Sequence, residues 1–298
     1  MQSRFRATAP GFDVPANTTD CHMHIVGSPD RYPFVQNRSF CTKPATVEDY
    51  RKTMAATGIQ RAVIIQPSFY GTDNRCTIDA LGSFGGCARG VAVVEPDVTD
   101  GELERLHEAG CRGLRVNMHT LRSDTDEPID KLVRHFDARL RPLRWHIQLF
   151  VAPENLPAVA RVQDSVSCPL VIDHFGMLRC EMTVQEPMRS CLNVLEAILD
   201  GGGWVKLSGL YRVADDPMAP SLADLARRLH ARAPGRVVWA GDWPHTPPHG
   251  HSLSEDAPLP YRDIDTGSQL APVAMWFPDS DTQRQVLVEN PARLYDFA

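Results

Sequence analysis

Eight short apolar runs, rich in β-branched residues and separated by stretches of helical spacing, punctuate this chain from end to end. In order they are TDCHMHIV ending at Val26, RAVIIQPS (61–68), GVAVVEP (90–96), GLRVNM (113–118), WHIQLFV (145–151), PLVIDHFG (169–176), WVKLSG (204–209) and VVWAGDWP (237–244). Runs that are nearly continuous, rather than alternating with polar residues, belong to strands buried on both faces, which is the signature of a parallel sheet. Helical stretches fall at Val47–Thr57 with Gly58 as C-cap, 100–110, Ile129–Leu140, 153–166, 184–201 and 221–233. After the second run Pro67 ends the strand, and a loop carrying Tyr70-Gly71-Thr72-Asp73-Asn74 is expected. Eight strands close a barrel, so the expected architecture is a single (β/α)8 barrel over 1–298, with an open doubly wound sheet as the competing one. Residues 1–17 read as an arm, 245–272 as a long proline-rich loop of the kind used as a lid or binding loop, and 281–297 as a closing helix followed by Asn290-Pro291 and a short last turn.

Composition narrows the partners. A formal charge of -6 provides no basic face for nucleic acid or for an anionic membrane surface. Lysine occurs only at Lys43, Lys52, Lys131 and Lys206, so almost all positive charge is arginine, whose planar fork suits bidentate carboxylate binding. Eight cysteines without a C-x-x-C pair read as reduced thiols, and the opening residues lack the apolar core of a signal peptide, so a cytoplasmic protein is expected. A homo-oligomer is left open.

In such barrels the chemistry sits at the C-terminal ends of the strands. That filter selects His22 and His24, which project to one side of strand one, then Ser68, Arg115 and Asn117, His174 beside Asp173, Ser208 and Arg212, and Asp242. Taken singly, His174 could be a core histidine and Asp242 a turn cap; together, three imidazoles and a carboxylate over one barrel mouth support two chemistries. One is a single-metal site that activates water. The other is metal-free hydrolysis, with Asp242 taking a proton from water while histidines polarise a carbonyl. His107, His119, His135, His146 and His230 read as structural, and His245, His249 and His251 as loop residues, of which His245 is the one that could reach the site.

The ordered motifs TDCHMHIVG, VIIQPSFYGTDN, GVAVVEP, RGLRVN, LVIDHFG, VVWAGDWPH and ENPARLY resemble the lactonase branch of the amidohydrolase superfamily, and the 2-pyrone-4,6-dicarboxylate hydrolases most closely. The resemblance implies hydrolysis of a carboxylated lactone, either 2-pyrone-4,6-dicarboxylate or a related muconolactone or sugar-acid lactone. In it, His22, His24 and His174 hold and polarise the carbonyl and Asp242 activates water. It also implies that Arg115, Arg212 and Ser68 contact the substrate. The chain departs from the pattern at Met177, where an arginine is expected and Arg179 is the nearest, and at Phe40 and Phe150, which replace tyrosines. A second basic residue after Arg115 is displaced to Arg122. With Asn117 ending strand four and no histidine ending strand five, a two-metal centre is not expected. No obligatory metal is the first expectation; the alternative is one zinc or manganese ion on His22, His24, His174 and Asp242. A lactone isomerase and a single-metal decarboxylase are the competing activities.

Overall fold

The computed structural model describes residues 5–36, 38–118, 129–247 and 257–298. Strands β1 (Thr19–Met23), β2 (Arg61–Ile65), β3 (Ala88–Ala92), β4 (Cys111–Asn117), β5 (His146–Phe150), β6 (Leu170–Ile172), β7 (Trp204–Ser208) and β8 (Val237–Ala240) pair in parallel, each with the next. The seam from β8 back to β1 is bridged by two backbone bonds, Asp242 N–H to His22 O at 2.9 Å and His24 N–H to Trp243 O at 2.8 Å. Asp20 reinforces it: Oδ1 accepts from the backbone of Gly241 and His22, at 2.8 and 3.0 Å, and Oδ2 from the Tyr50 hydroxyl at 2.8 Å. The eight strands thus form a single-domain (β/α)8 barrel.

The surrounding helices are α1 (Val47–Thr57), α2 (Arg75–Phe84), α3 (Asp100–Glu108), α4 (Ile129–Leu140), α5 (Leu156–Gln163), α6 (Met188–Asp200), the short α7 (Leu210–Val213), α8 (Pro220–Arg232), α9 (Thr266–Leu270), α10 (Pro272–Trp276), α11 (Ser280–Arg284) and α12 (Asn290–Tyr295). Capping explains α1: Thr46 and Asp49 exchange side-chain and backbone bonds, and Gly58 ends the helix at φ 81. Helix α2 follows the expected loop at 70–74 and is not anticipated from the sequence. No side chain caps it and turn residues precede it, yet its buried Cys76, Thr77, Ala80, Leu81 and Phe84 recur at helical spacing.

The segment read as one long loop is also corrected in part. Asp265 caps α9 through Gly267, and α10 buries Trp276. Leu259 bonds back to Cys41 and Arg262 to His245, so this part is fixed to the barrel rim. Residues 248–256 lie outside the described residues. The arm is tied down as well: Phe5 packs on Trp243 with ring centres 4.8 Å apart, and Thr8 bonds Asp265.

The apolar side chains fall into two layers. The larger one lies between strands and helices and includes Met23, Ala62, Ile64 and Ala92 from the strands and Leu106, Leu195 and Leu229 from the helices. The smaller fills the lower barrel with Cys21, Val63, Val91, Val171 and Val238, closed from below by Leu294, Tyr295 and Phe297. Above that plug the interior turns polar, at Arg115, Gln148, Asp173, Lys206 and Ser208, all buried. Among the described residues no helix is long and apolar enough to cross a membrane, and all eight cysteines are free thiols.

Candidate active site at the barrel mouth

Strand β1 delivers two imidazoles by means of an irregularity. Its register against β2 shifts between Asp20 and Met23, so Cys21 and His22 both turn toward the barrel interior while Met23 packs outward. His24 lies one residue past the strand end and returns inward, with its ring 5.0 Å from that of His22 in an edge-on arrangement. The opposite wall comes from two residues that leave their ladders. His174 follows β6 at φ 50, and Asp242 follows β8 at φ 59, in the left-handed region that Asp, Asn and His enter more readily than other side chains. Strands six and eight are therefore shorter than the apolar runs suggested. Gly209 makes room for the assembly: at φ 58, a Cβ there would sit 2.9 Å from Nδ1 of His174 and 3.2 Å from Oδ2 of Asp242.

Asp242 is fully buried, and its two oxygens have different surroundings. Oδ2 accepts from the Tyr211 hydroxyl at 2.6 Å and from Arg212 Nε at 2.8 Å. Oδ1 has no hydrogen-bond partner and faces Nε2 of His22 and Nε2 of His24, each 3.8 Å away. Burial works to raise its pKa, but the Arg212 guanidinium and the imidazoles of His174, His22 and His24 together hold the carboxyl well below the usual range. Burial also pushes His24 and His174 down to about 4 and His22 well below its ordinary value. All three imidazoles are neutral at pH 7.

A neutral imidazole carries one N–H, and the partners say where it is. Nδ1 of His24 lies 2.8 Å from the Ile65 carbonyl, which only accepts, so the proton is on Nδ1 and Nε2 presents a lone pair. Neither ring nitrogen of His22 makes a hydrogen bond, but Nδ1 lies 3.4 Å from Oδ1 of Asp173, a carboxylate that favours the proton on Nδ1 and leaves Nε2 bare too. Nδ1 of His174 meets the Ser208 hydroxyl at 2.9 Å; a hydroxyl can donate as well as accept, so His174 is free to carry its proton on Nε2. Three acceptor atoms, on His22, His24 and Asp242, thus converge without a donor among them. Such a trio of acceptors fits a water molecule. It also fits one divalent ion, since 3.8 Å separations suit a single centre with bonds of about 2.0–2.2 Å. The ends of β4 and β5 carry Asn117 and Phe150, so neither strand end supplies a carboxylate or histidine ligand; His22, Asp173 and His174 form a second close group that shares His22 with the first.

A narrow cleft opens over this cluster, lined by His24, His174, Asp242, Arg115 and Arg212 together with Ser68, Asn117 and Thr246 and the apolar Phe40, Pro67, Phe69 and Phe150. His22 lies behind them, fully buried. Arg115 donates from Nε to Asp173 at 3.3 Å and stands over the Phe150 ring at 5.1 Å. Arg212 also reaches Thr246 at 2.8 Å. Arg179 is not among the lining residues: its side chain is 35% exposed and pairs with Asp215 at 2.7 Å. Arg122 lies outside the described residues. His245 is buried and bonds Thr266 at 3.2 Å. Sequence reasoning missed Tyr211 and Thr246, and it missed Gln148 and Lys206 beneath the site. The last two did carry a signal: each is a polar residue at an inward position of an otherwise apolar strand.

The family model for amidohydrolases matches residues 19–297. The 2-pyrone-4,6-dicarboxylate hydrolase of Comamonas testosteroni is 31% identical, over 96% of this chain and 92% of that protein. D-galactarolactone isomerase of Agrobacterium fabrum is 28% identical, over 97% of this chain and 94% of that protein. A crystal structure from Agrobacterium tumefaciens superposes with a TM-score of 0.79 at 23% identity, covering 97% of this chain and 99% of the other, which is a likeness of fold.

Proposed function

Because the chain belongs to the amidohydrolase family, we propose that it is a hydrolase of carboxylic ester bonds that opens a carboxylated lactone with water. The observation that carries this reading is the bare Oδ1 of Asp242, buried and charged, meeting two imidazole lone pairs beside a cleft that Arg115 and Arg212 make positive. Water placed among these acceptors gives its proton to Asp242 Oδ1 as its oxygen attacks the lactone carbonyl carbon. His22 and His24 accept its other hydrogen and fix its orientation. The oxyanion is met by the Nε2–H of His174 and by Arg115. When the ring C–O bond breaks, the leaving oxygen recovers the proton from Asp242. The sequence reading gave all three histidines to the carbonyl; the tautomers favour dividing them, two on water and one on substrate.

The walls narrow the substrate. Phe40, Phe69, Phe150 and Pro67 suit a flat unsaturated ring and offer nothing to the several hydroxyls of a sugar-acid lactone, while Arg115 can hold a ring carboxylate. The isomerase reading keeps one support, since a substrate hydroxyl could occupy the place of water between the same acceptors. A panel of 2-pyrone-4,6-dicarboxylate, 4-sulfomuconolactone and aldarolactones tests the assignment: turnover of the flat lactones with little on the aldarolactones is expected, and turnover of none would refute it.

His22, His24, His174 and Asp242 could hold one zinc or manganese ion, which when bound would lower the pKa of water at this position. We propose that turnover does not require it, since Arg115 and Arg212 already place two permanent positive charges at the mouth. Activity that survives exhaustive chelation supports this; loss on chelation with recovery on adding zinc or manganese would reverse it. The reduced thiols favour a cytoplasmic location, with a small anionic lactone as the partner.

A further inference from the structure

Lys206 is the one lysine in the barrel interior, on β7 below the mouth, and it is fully buried. It does not line the cleft, and the proposed reaction gives it no task. Its ammonium donates to the Cys21 carbonyl at 2.9 Å and to Gln148 Oε1 at 2.7 Å, and stands 3.7 Å from Asp173 Oδ1. Gln148 in turn donates from Nε2 to Asp173 Oδ2 at 3.0 Å. These contacts have only one consistent direction. An ammonium can only donate and a carboxylate can only accept, so the Gln148 amide must point its oxygen at Lys206 and its nitrogen at Asp173. Asp173 then faces upward to Arg115, which lines the cleft and whose Nε is 3.3 Å away, and to His22 behind the lining, whose Nδ1 is 3.4 Å away without a hydrogen bond. Cys21, whose carbonyl Lys206 grips, is the residue before His22 at the shifted register of β1.

We propose that Lys206 is a positioning residue: through Gln148 and Asp173 it fixes the Nδ1–H tautomer and ring orientation of His22, so that the Nε2 lone pair faces Asp242. The inference rests on the lactonase reading for its kinetic consequence, and stands without it for its spectroscopic one. Outer partners that orient an imidazole affect activity by about ten- to hundred-fold. Lys206→Met should therefore lower kcat about ten-fold or more on the best lactone while KM moves less than about two-fold, because no substrate contact is lost. In ¹⁵N-histidine-labelled protein, the His22 ring signals should change from one tautomer to a mixture, and Lys206→Arg should restore the single tautomer in part. If Lys206→Met does not fold, Lys206→Gln, which keeps a donor for Cys21 and loses the charge, carries the same expectations. A folded Met or Gln variant with kcat within two-fold of wild type and an unchanged His22 tautomer would overturn the proposal. If no lactone is turned over by the wild type, the lactonase reading fails, and the tautomer measurement still decides the role of Lys206.

Discussion

Asp173 and Asp242 are both fully buried, each is paired with an arginine, and each faces one nitrogen of the same His22 ring. Their surroundings nevertheless separate them. Around Asp173, Gln148 and Arg115 donate to Oδ2, while Oδ1 makes no hydrogen bond and stands 3.4 Å from His22 Nδ1 and 3.7 Å from the Lys206 ammonium. Around Asp242 the donors Tyr211 and Arg212 crowd onto Oδ2, and Oδ1 meets only imidazole lone pairs and the cleft. One carboxylate is a frame and the other has a free basic oxygen. The lesson is that burial, an arginine partner and an oxygen without a hydrogen bond do not identify a catalytic base; the neighbours of that oxygen do, a lysine ammonium beside Asp173 Oδ1 and only imidazoles and the cleft beside Asp242 Oδ1.

Substitutions should separate the two in order of size. Asp242→Asn removes the proton acceptor and should cut kcat by about 10²–10⁴, the range for a positioned general base, with ligand affinity within a few-fold by calorimetry. Asp173→Asn should cost less, about ten- to hundred-fold in kcat, because it acts through His22 and Arg115. If the order were reversed, the comparison would fail. Gly209→Ala, forced to φ 58 and against His174 and Asp242, should lower stability by about 1–2 kcal/mol in denaturant titration and reduce kcat along with it.

The pH dependence sharpens the same picture. His24 and His174 are pushed down to about 4, and Asp242 lies well below its usual range, so kcat/KM should stay flat from pH 8 to about 5 and fall only near 4, as the lone pairs take protons. Stability follows in the same direction. Between pH 6.5 and about 4 the unfolded chain binds protons that the folded imidazoles refuse, so the folded state weakens as pH falls through that window. An acid limb near 6.5 in kcat/KM would contradict the burial of these rings. The smallest effect belongs to Arg179→Ala, which should leave turnover within two-fold and stability within about 0.5 kcal/mol, since its partners are surface acids.

Much of this was legible in the sequence, for a physical reason. Strands buried on both faces must be apolar throughout, so all eight announced themselves, and the rule that barrel chemistry sits at strand ends then selected His22, His24, His174 and Asp242. What escaped lacks such a constraint. Helix α2 follows turn residues without a side-chain cap. Arg179 sits two residues from the family position, but it pairs with Asp215 and is not among the lining residues, which only the folded chain shows. Lys206 and Gln148 interrupt apolar strands, yet their meaning depends on lying opposite Asp173 across the barrel, which no single stretch of chain reveals. The tautomers likewise depend on the Ile65 carbonyl and the Asp173 carboxylate, brought to the rings by other strands.

The central claim is that water, activated at Oδ1 of Asp242, becomes part of the product. Turnover of the best lactone in H₂¹⁸O, analysed by mass spectrometry of the product after a single turnover, tests it directly. The account predicts one ¹⁸O in the carboxylate of a ring-opened acid, with the label and the product both lost in Asp242→Asn. A rearranged lactone without label, or undiminished labelled product from Asp242→Asn, would contradict it.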